Sequence, residues 1–323
     1  MIHRPQRFRR ARLLIVGCGD VGLRVVRRLA ARVHVLATTS GGPERVATLR
    51  AAGITPLRAD LDVIASLGRL GALAGMVLHL APPPGQGDRD TRTMHLLRAL
   101  ARGGCVRRLV YGSTTGVYGD AGGAWIDETA PLRPATDRAM RRADAEARVR
   151  WFGRAFGVRV SVLRIPGIYA ADRPGGDPVE RVRQGAPVLL PHDDVYTNHI
   201  HADDLARVCI AALTRGAPQR AYNASDDTEL KMGDYFDLVA DAAGLPRPPR
   251  ISRAQAHAEL SPVRLSFMSE SRRLRNTRMK RELRMRLIHP TTRHALLDRP
   301  QAVTSLMLEP PPGGGPDFCR PGS

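Results

Sequence analysis

The chain has 323 residues, 50 Lys+Arg against 31 Asp+Glu, and a formal charge of +19. That length suits one large α/β unit or two small domains, a hydrophobic share of 43% is enough for a core, and apolar residues recurring in blocks exclude disorder over the whole length. No run reaches 18 apolar residues, so no transmembrane helix is expected, and only 4% aromatics leave few platforms for stacking on nucleic acid.

In chain order, residues 1–11 form a basic arm; Met1 to Arg12 carries five arginines and no acid. The apolar run 13–16 then reads as a strand that passes into Gly17-Cys18-Gly19-Asp20-Val21-Gly22. Val21, Val25, Val26 and Leu29 repeat at helical spacing, and 33–37 reads as a second strand. Further strands are expected at 54–57, 76–80, 109–111 and 158–165, with helical patterns between them such as 94–101. This alternation predicts a doubly wound, Rossmann-like α/β fold with a parallel sheet covered on both faces. The unit spans 12–165. After Ile165, Pro166, Gly167, Pro174, Gly175, Gly176 and Pro178 break the pattern, and a smaller substrate region, 166–299, follows and in part returns to the sheet. Helices are expected there at 202–214 and 233–243, with a basic helical stretch over 269–286. Residues 300–323 read as a low-complexity tail with no ordered structure. Cys18, Cys105, Cys209 and Cys319 are scattered, which fits neither a disulfide framework nor a zinc site and points to a reducing cytoplasm.

The glycine run has the form Gly-x-Gly-x-x-Gly where a dinucleotide fingerprint belongs, between a strand and a helix. The first glycine permits the tight turn, the second lets a pyrophosphate approach, and the third lets helix and strand pack closely. Gly17, Gly19, Asp20, Val21 and Gly22 are therefore candidate cofactor contacts, with the helix N-terminus offering N–H groups to phosphate. An acid about 20 residues further on would bond the ribose 2′-hydroxyl of NAD. Here Thr38, Thr39 and Ser40 stand in that place, with Arg45 close behind, which favours NADP while leaving NAD possible. Asp60 and Leu61, after the third strand, and Leu80 and Ala81, after the fourth, are further candidate contacts. His79, inside an apolar strand, reads as a core histidine.

From Val110-Tyr111-Gly112-Ser113-Thr114-Thr115-Gly116-Val117-Tyr118-Gly119 onward the chain resembles a family. Asp127-Glu128-Thr129, Pro134, Leu163-Arg164, Tyr169, His201-Ala202-Asp203-Asp204-Leu205-Ala206 and Tyr222-Asn223-Ala224-Ser225 follow in order. Together they resemble the extended short-chain dehydrogenase/reductases, the NAD(P)-dependent epimerase/dehydratase group, over roughly residues 12–290. The resemblance implies a nicotinamide cofactor, a small-molecule substrate between the dinucleotide unit and the C-terminal region, and commonly a homodimer. It also implies catalysis by a Ser/Thr with a Tyr-x-x-x-Lys pair. Thr114 stands at the Ser/Thr position, but Arg138 and Arg142 stand at the tyrosine and lysine positions, and the chain contains no Tyr-x-x-x-Lys. A guanidinium stays protonated and cannot cycle a proton as a phenol does, whereas Arg142 can still bond a ribose hydroxyl. Two readings stay open. One is an enzyme that draws on Tyr118, Tyr169, His199 or His201; the other is a dinucleotide-binding pseudoenzyme, a sensor or partner protein. Ser269 to Asn276 resembles a C-terminal segment whose arginines contact substrate anions, which makes Arg272 and Arg273 candidate substrate residues. No metal site and no membrane association are expected.

Overall fold

A computed structural model describes residues 11–29 and 33–298. The basic arm, apart from its last residue, and the low-complexity tail lie outside the described residues. Seven strands make one parallel sheet: β1 (Ala11–Val16), β2 (Val33–Thr39), β3 (Thr55–Arg58), β4 (Met76–His79), β5 (Arg108–Thr114), β6 (Arg159–Ile165) and β7 (Arg220–Asn223). Their order across the sheet is β7-β6-β5-β4-β1-β2-β3. Strand order reverses between β1 and β4, and the crevice beyond the strand ends at such a point is where open α/β sheets bind ligands.

β1 shows why these runs form the sheet. Leu13 and Ile15 pack into one core layer and Leu14 and Val16 into the other, so an unbroken apolar run is buried on both faces. The first layer is closed by α1 (Asp20–Leu29) and α6 (Ala202–Arg215), through Val25, Val26, Leu205 and Val208. α2 (Pro43–Ala51) crosses from β2 to β3 and buries Leu49 in that layer. The other layer is closed by α3 (Thr91–Gly103) and α4 (Asp137–Phe156), through Leu96, Leu100, Val149 and Phe152. Asp90 and Thr136 cap these two helices by accepting from the backbone N–H of Thr93 and Ala139.

The C-terminal region has its own core, in which α5 (Pro178–Arg183) and α7 (Met232–Ala243) pack through Val179, Val182, Tyr235 and Phe236. β7 returns to the main sheet beside β6. The helix expected over 269–286 is a correction. Arg273–Leu274 is instead a short strand parallel to Trp125–Ile126, and only Thr277–Glu282 is helical. The N–H groups of Arg273 and Arg275 donate to the carbonyls of Ala124 and Ile126, so long-range pairing overrides a local helical pattern.

Candidate functional site

A cavity of about 670 Å³ opens where the C-terminal ends of β1, β4, β5 and β6 meet the C-terminal region. Gly17, Gly19, Asp20, Val21 and Gly22 line one end. Gly17 has φ +85°, and a Cβ there would stand 2.3 Å from the backbone N of Ala81. The tight turn therefore excludes any side chain. Gly19 has no heavy atom within 4 Å of where its Cβ would be, which is the open space a pyrophosphate needs. A Cβ on Gly22 would meet Cys18 Sγ at 3.1 Å, so the third glycine sets the approach of helix to strand. The first amides of α1 have no intrahelical acceptor and face this end. These residues fit a dinucleotide.

Two cations frame the same end. Arg173 donates to Asp20 Oδ2 at 2.7 Å from the segment that follows β6. Arg45 of α2 donates to the carbonyl of Cys18 in the glycine loop. Thr38, Thr39 and Ser40 lie beside this loop, at and just past the end of β2, outside the cavity lining; Thr39 Oγ1 accepts from Gly41 N at 3.1 Å. Asp60 uses a carboxylate oxygen to accept from Asp62 N at 2.9 Å, and the Leu61 carbonyl is 2.8 Å from His95 Nδ1. Leu80 lines the cavity, whereas Ala81 sits behind Gly17 with its N–H on the Val16 carbonyl.

Thr114, Arg138 and Arg142 come together on the cavity wall where β5 meets α4. Thr114 Oγ1 accepts from Gly116 N at 3.3 Å. Arg142 donates to the Gly112 carbonyl at 2.8 Å and to the Tyr111 hydroxyl at 3.1 Å, which anchors its guanidinium at the floor. Arg138, one turn earlier on α4, is exposed and lies 4.8 Å from the ring centroid of Phe267.

Beneath this wall the phenol of Tyr118 donates to Asn223 Oδ1 at 2.7 Å and accepts from Arg164 at 2.9 Å. Arg164 in turn pairs with Glu146 at 2.8 Å, and Glu146 accepts from Ser113 at 2.7 Å. Burial pushes the Tyr118 hydroxyl up to about 12, against the pull of Arg164. Tyr169 donates to Asp226 Oδ2 at 3.2 Å and is likewise pushed far upward by burial. His201 caps α6 by accepting from Asp203 N, and burial with the neighbouring His289 lowers it to about 4. Of the four conceivable proton donors only His199 lines the cavity, and burial, reinforced by Arg181, lowers it to about 3. His79 is the buried core histidine its strand suggested, with Nε2 2.9 Å from Thr93 Oγ1.

Arg272 lines the cavity, but its guanidinium already bonds Glu270 and the Gly119 carbonyl, each at 2.8 Å. Arg273 is directed elsewhere. It lies 4.6 Å from the Tyr196 centroid and 5.2 Å from that of Trp125, and it does not line the cavity. Sequence reasoning missed Arg173, Arg181, Tyr196 and Asn198, all of which line it. The only signal for them was their place within or after the Pro/Gly-rich break that follows β6. No helix among the described residues is long and apolar enough to cross a membrane. No cluster of His, Cys, Asp or Glu among them could hold a metal ion.

Comparison with known proteins agrees with this geometry. The model of the NAD dependent epimerase/dehydratase family matches residues 13–225. A conserved protein of unknown function from Silicibacter pomeroyi DSS superposes with a TM-score of 0.72 at 32% identity, covering 88% of this chain and 96% of that one. UDP-glucose 4-epimerase from Thermotoga maritima, solved with UDP-glucose, superposes at 0.71 with 19% identity, covering 88% and 96%, and so shares the fold. Protein YeeZ of Escherichia coli K12 is 24% identical over 244 residues, or 73% of this chain and 85% of YeeZ. With a glycine loop shaped for a dinucleotide and a family match spanning the whole sheet, the chain belongs to the NAD dependent epimerase/dehydratase family as a nucleotide-binding, Rossmann-like member.

Proposed function

We propose that the protein binds NAD(P) along the glycine loop and holds a small polar substrate against the nicotinamide in the adjoining cavity, as an epimerase/dehydratase-like oxidoreductase with an incomplete acid–base set. The observation that carries this reading is one continuous cavity joining Gly17–Gly22 to Thr114, Arg142 and residues of the C-terminal region. A nicotinamide held there would supply hydride chemistry. Thr114 would hydrogen-bond a substrate oxygen, and Arg142 would hold a ribose hydroxyl while its own charge stays fixed. NADP is the preferred form, because hydroxyls stand where a carboxylate would repel a 2′-phosphate and Arg45 is tethered beside them at Cys18.

A pseudoenzyme is the second reading, favoured by one observation: Tyr118 and Tyr169 are locked in buried hydrogen bonds, while Arg138 and Arg142 occupy the wall. Titration with NADPH and NADH by fluorescence, followed by turnover assays on a carbonyl and sugar-nucleotide panel, separates the two. Binding with turnover supports the enzyme, binding without turnover the pseudoenzyme, and absence of binding by either cofactor removes both. Arg45→Ala is expected to weaken NADPH by about tenfold and NADH by less than about twofold, given the worth of a charge-assisted bond. Equal losses would refute the NADP preference.

A further inference from the structure

The charge that lines the cavity is unbalanced. The lining includes five arginines but only two acids, Asp20 and Glu270. Asp20 is taken by Arg24 and Arg173, and Glu270 by Arg272. Arg181 has no such partner. It reaches the cavity from α5 with its guanidinium 4.4 Å from the Phe236 ring centroid, and its Nε is buried without a hydrogen bond. None of the ion pairs among the described residues uses it, and the charged side chain acting on it, Arg264, repels. Beside it, His199 is stacked 4.0 Å from Tyr235 and has a buried Nδ1 without a partner. Withdrawing a guanidinium from water without a counter-charge is costly, and a bound anion offsets that cost through charge-assisted hydrogen bonds.

The geometry points to an anion subsite formed by Arg181 and His199, which receives a carboxylate or phosphate group of the substrate on the side of the cavity that the C-terminal region supplies. This rests on the reading that the cavity holds substrate, and it adds the substrate's class. Arg181 supplies the charge and a planar fork of donors, and His199, neutral in this setting, supplies one further N–H or an acceptor. A neutral sugar would leave Arg181 unpaired, so the subsite selects for an anionic substrate.

The test is calorimetric titration of the full chain with glucuronate, glucose 6-phosphate and glucose at about 150 mM salt, where exposed charges are screened. At least one anion is expected to bind about tenfold or more tightly than glucose. A preference for glucuronate identifies a carboxylate, and one for glucose 6-phosphate a phosphate. Arg181→Gln is expected to abolish that advantage and Arg181→Lys to keep part of it, while NADH titration of the same variants reports whether the fold is intact. Should Arg181→Gln not fold, Arg181→Lys and His199→Phe each still read the loss. An anion affinity unchanged in Arg181→Gln, or a wild-type protein that prefers neither anion to glucose, overturns the subsite. A protein that binds these anions but neither NADH nor NADPH retains the subsite and loses the dinucleotide reading.

Discussion

Gly17 and Gly19 are two residues apart and do different work. At Gly17, φ of +85° and a Cβ position 2.3 Å from Ala81 N combine backbone strain with a main-chain clash. Gly17→Ala should therefore cost about 2 kcal/mol or more of stability. At Gly19 a methyl meets no protein atom within 4 Å, so Gly19→Ala should leave stability within about 0.5 kcal/mol of wild type. Its methyl enters the space of the pyrophosphate and should weaken NADH by about tenfold. Chemical denaturation and cofactor titration of both variants check this. Equal behaviour of the pair would contradict the assigned roles. At the same scale, Arg142 stands where the family resemblance implies a lysine, and under the proposed reading it would keep a bonding role there. Its guanidinium is fixed by Gly112 and Tyr111 at the cavity floor, where it bonds but cannot relay a proton.

At the scale of elements, α1 ties the glycine loop to the segment after β6 and to the start of α6. Arg24, 2% exposed, donates to Asp20 on its own helix, to Asp172 after β6 and to Asp203 at the start of α6. The segment that carries Arg173 is thereby held over the glycine loop. Arg24→Met keeps the volume and removes the donors; Asp172 loses its partner while Asp20 keeps Arg173 and Asp203 keeps Arg28, at a cost of about 2 kcal/mol. Faster hydrogen exchange over residues 170–176 should accompany the loss of stability, and unchanged exchange there would refute the tether. The elements also show how much of the fold was legible in advance. Six of the seven sheet strands and α1, α3, α6 and α7 follow from apolar period and glycine or proline punctuation, because burial between two helix layers demands that pattern. β7 escaped as a strand because four residues, Arg-Ala-Tyr-Asn, carry too little pattern, although the Tyr-Asn pair within it contributed to the family resemblance.

For the whole molecule, part of the charge of the basic C-terminal stretch is spent on partners within the chain. Arg272, Arg278, Lys280 and Glu282 pair with Glu270, Glu128, Asp227 and Arg220, and Arg273 and Arg275 lie against Trp125. Buried titratable groups set the pH response. Burial lowers His79 and His199 to about 3 and His201 to about 4, so the unfolded chain holds these protons more readily. Stability is full above the unfolded value near 6.5 and is lost as pH falls toward the folded values. Asp226 opposes them: burial raises it to about 7, so its contribution is full below pH 4 and declines as pH rises to 7. Glu128 and Asp194, also raised by burial, act in the same sense as Asp226; the three histidines still outweigh them, and stability should rise by on the order of 1 kcal/mol per pH unit between pH 5 and 6. Denaturation midpoints across that range provide the measurement, and His79→Gln should flatten the slope. A flat or falling profile would show that these histidines are not held neutral.

The sequence by itself determined the parallel sheet, the glycine loop with its dinucleotide geometry, and the loss of Tyr-x-x-x-Lys. Each of these depends on residues adjacent in the chain or on a short repeating period. Only the tertiary structure decided which polar groups are available to a ligand. Tyr118 is bound to Asn223, 105 residues away, and Arg272 is bound to the Gly119 carbonyl, 153 residues away. Arg181, unremarkable in the sequence, stands unpaired at the cavity. Whether a side chain's charge is spent or free depends on what long-range packing brings beside it, and no local pattern records that.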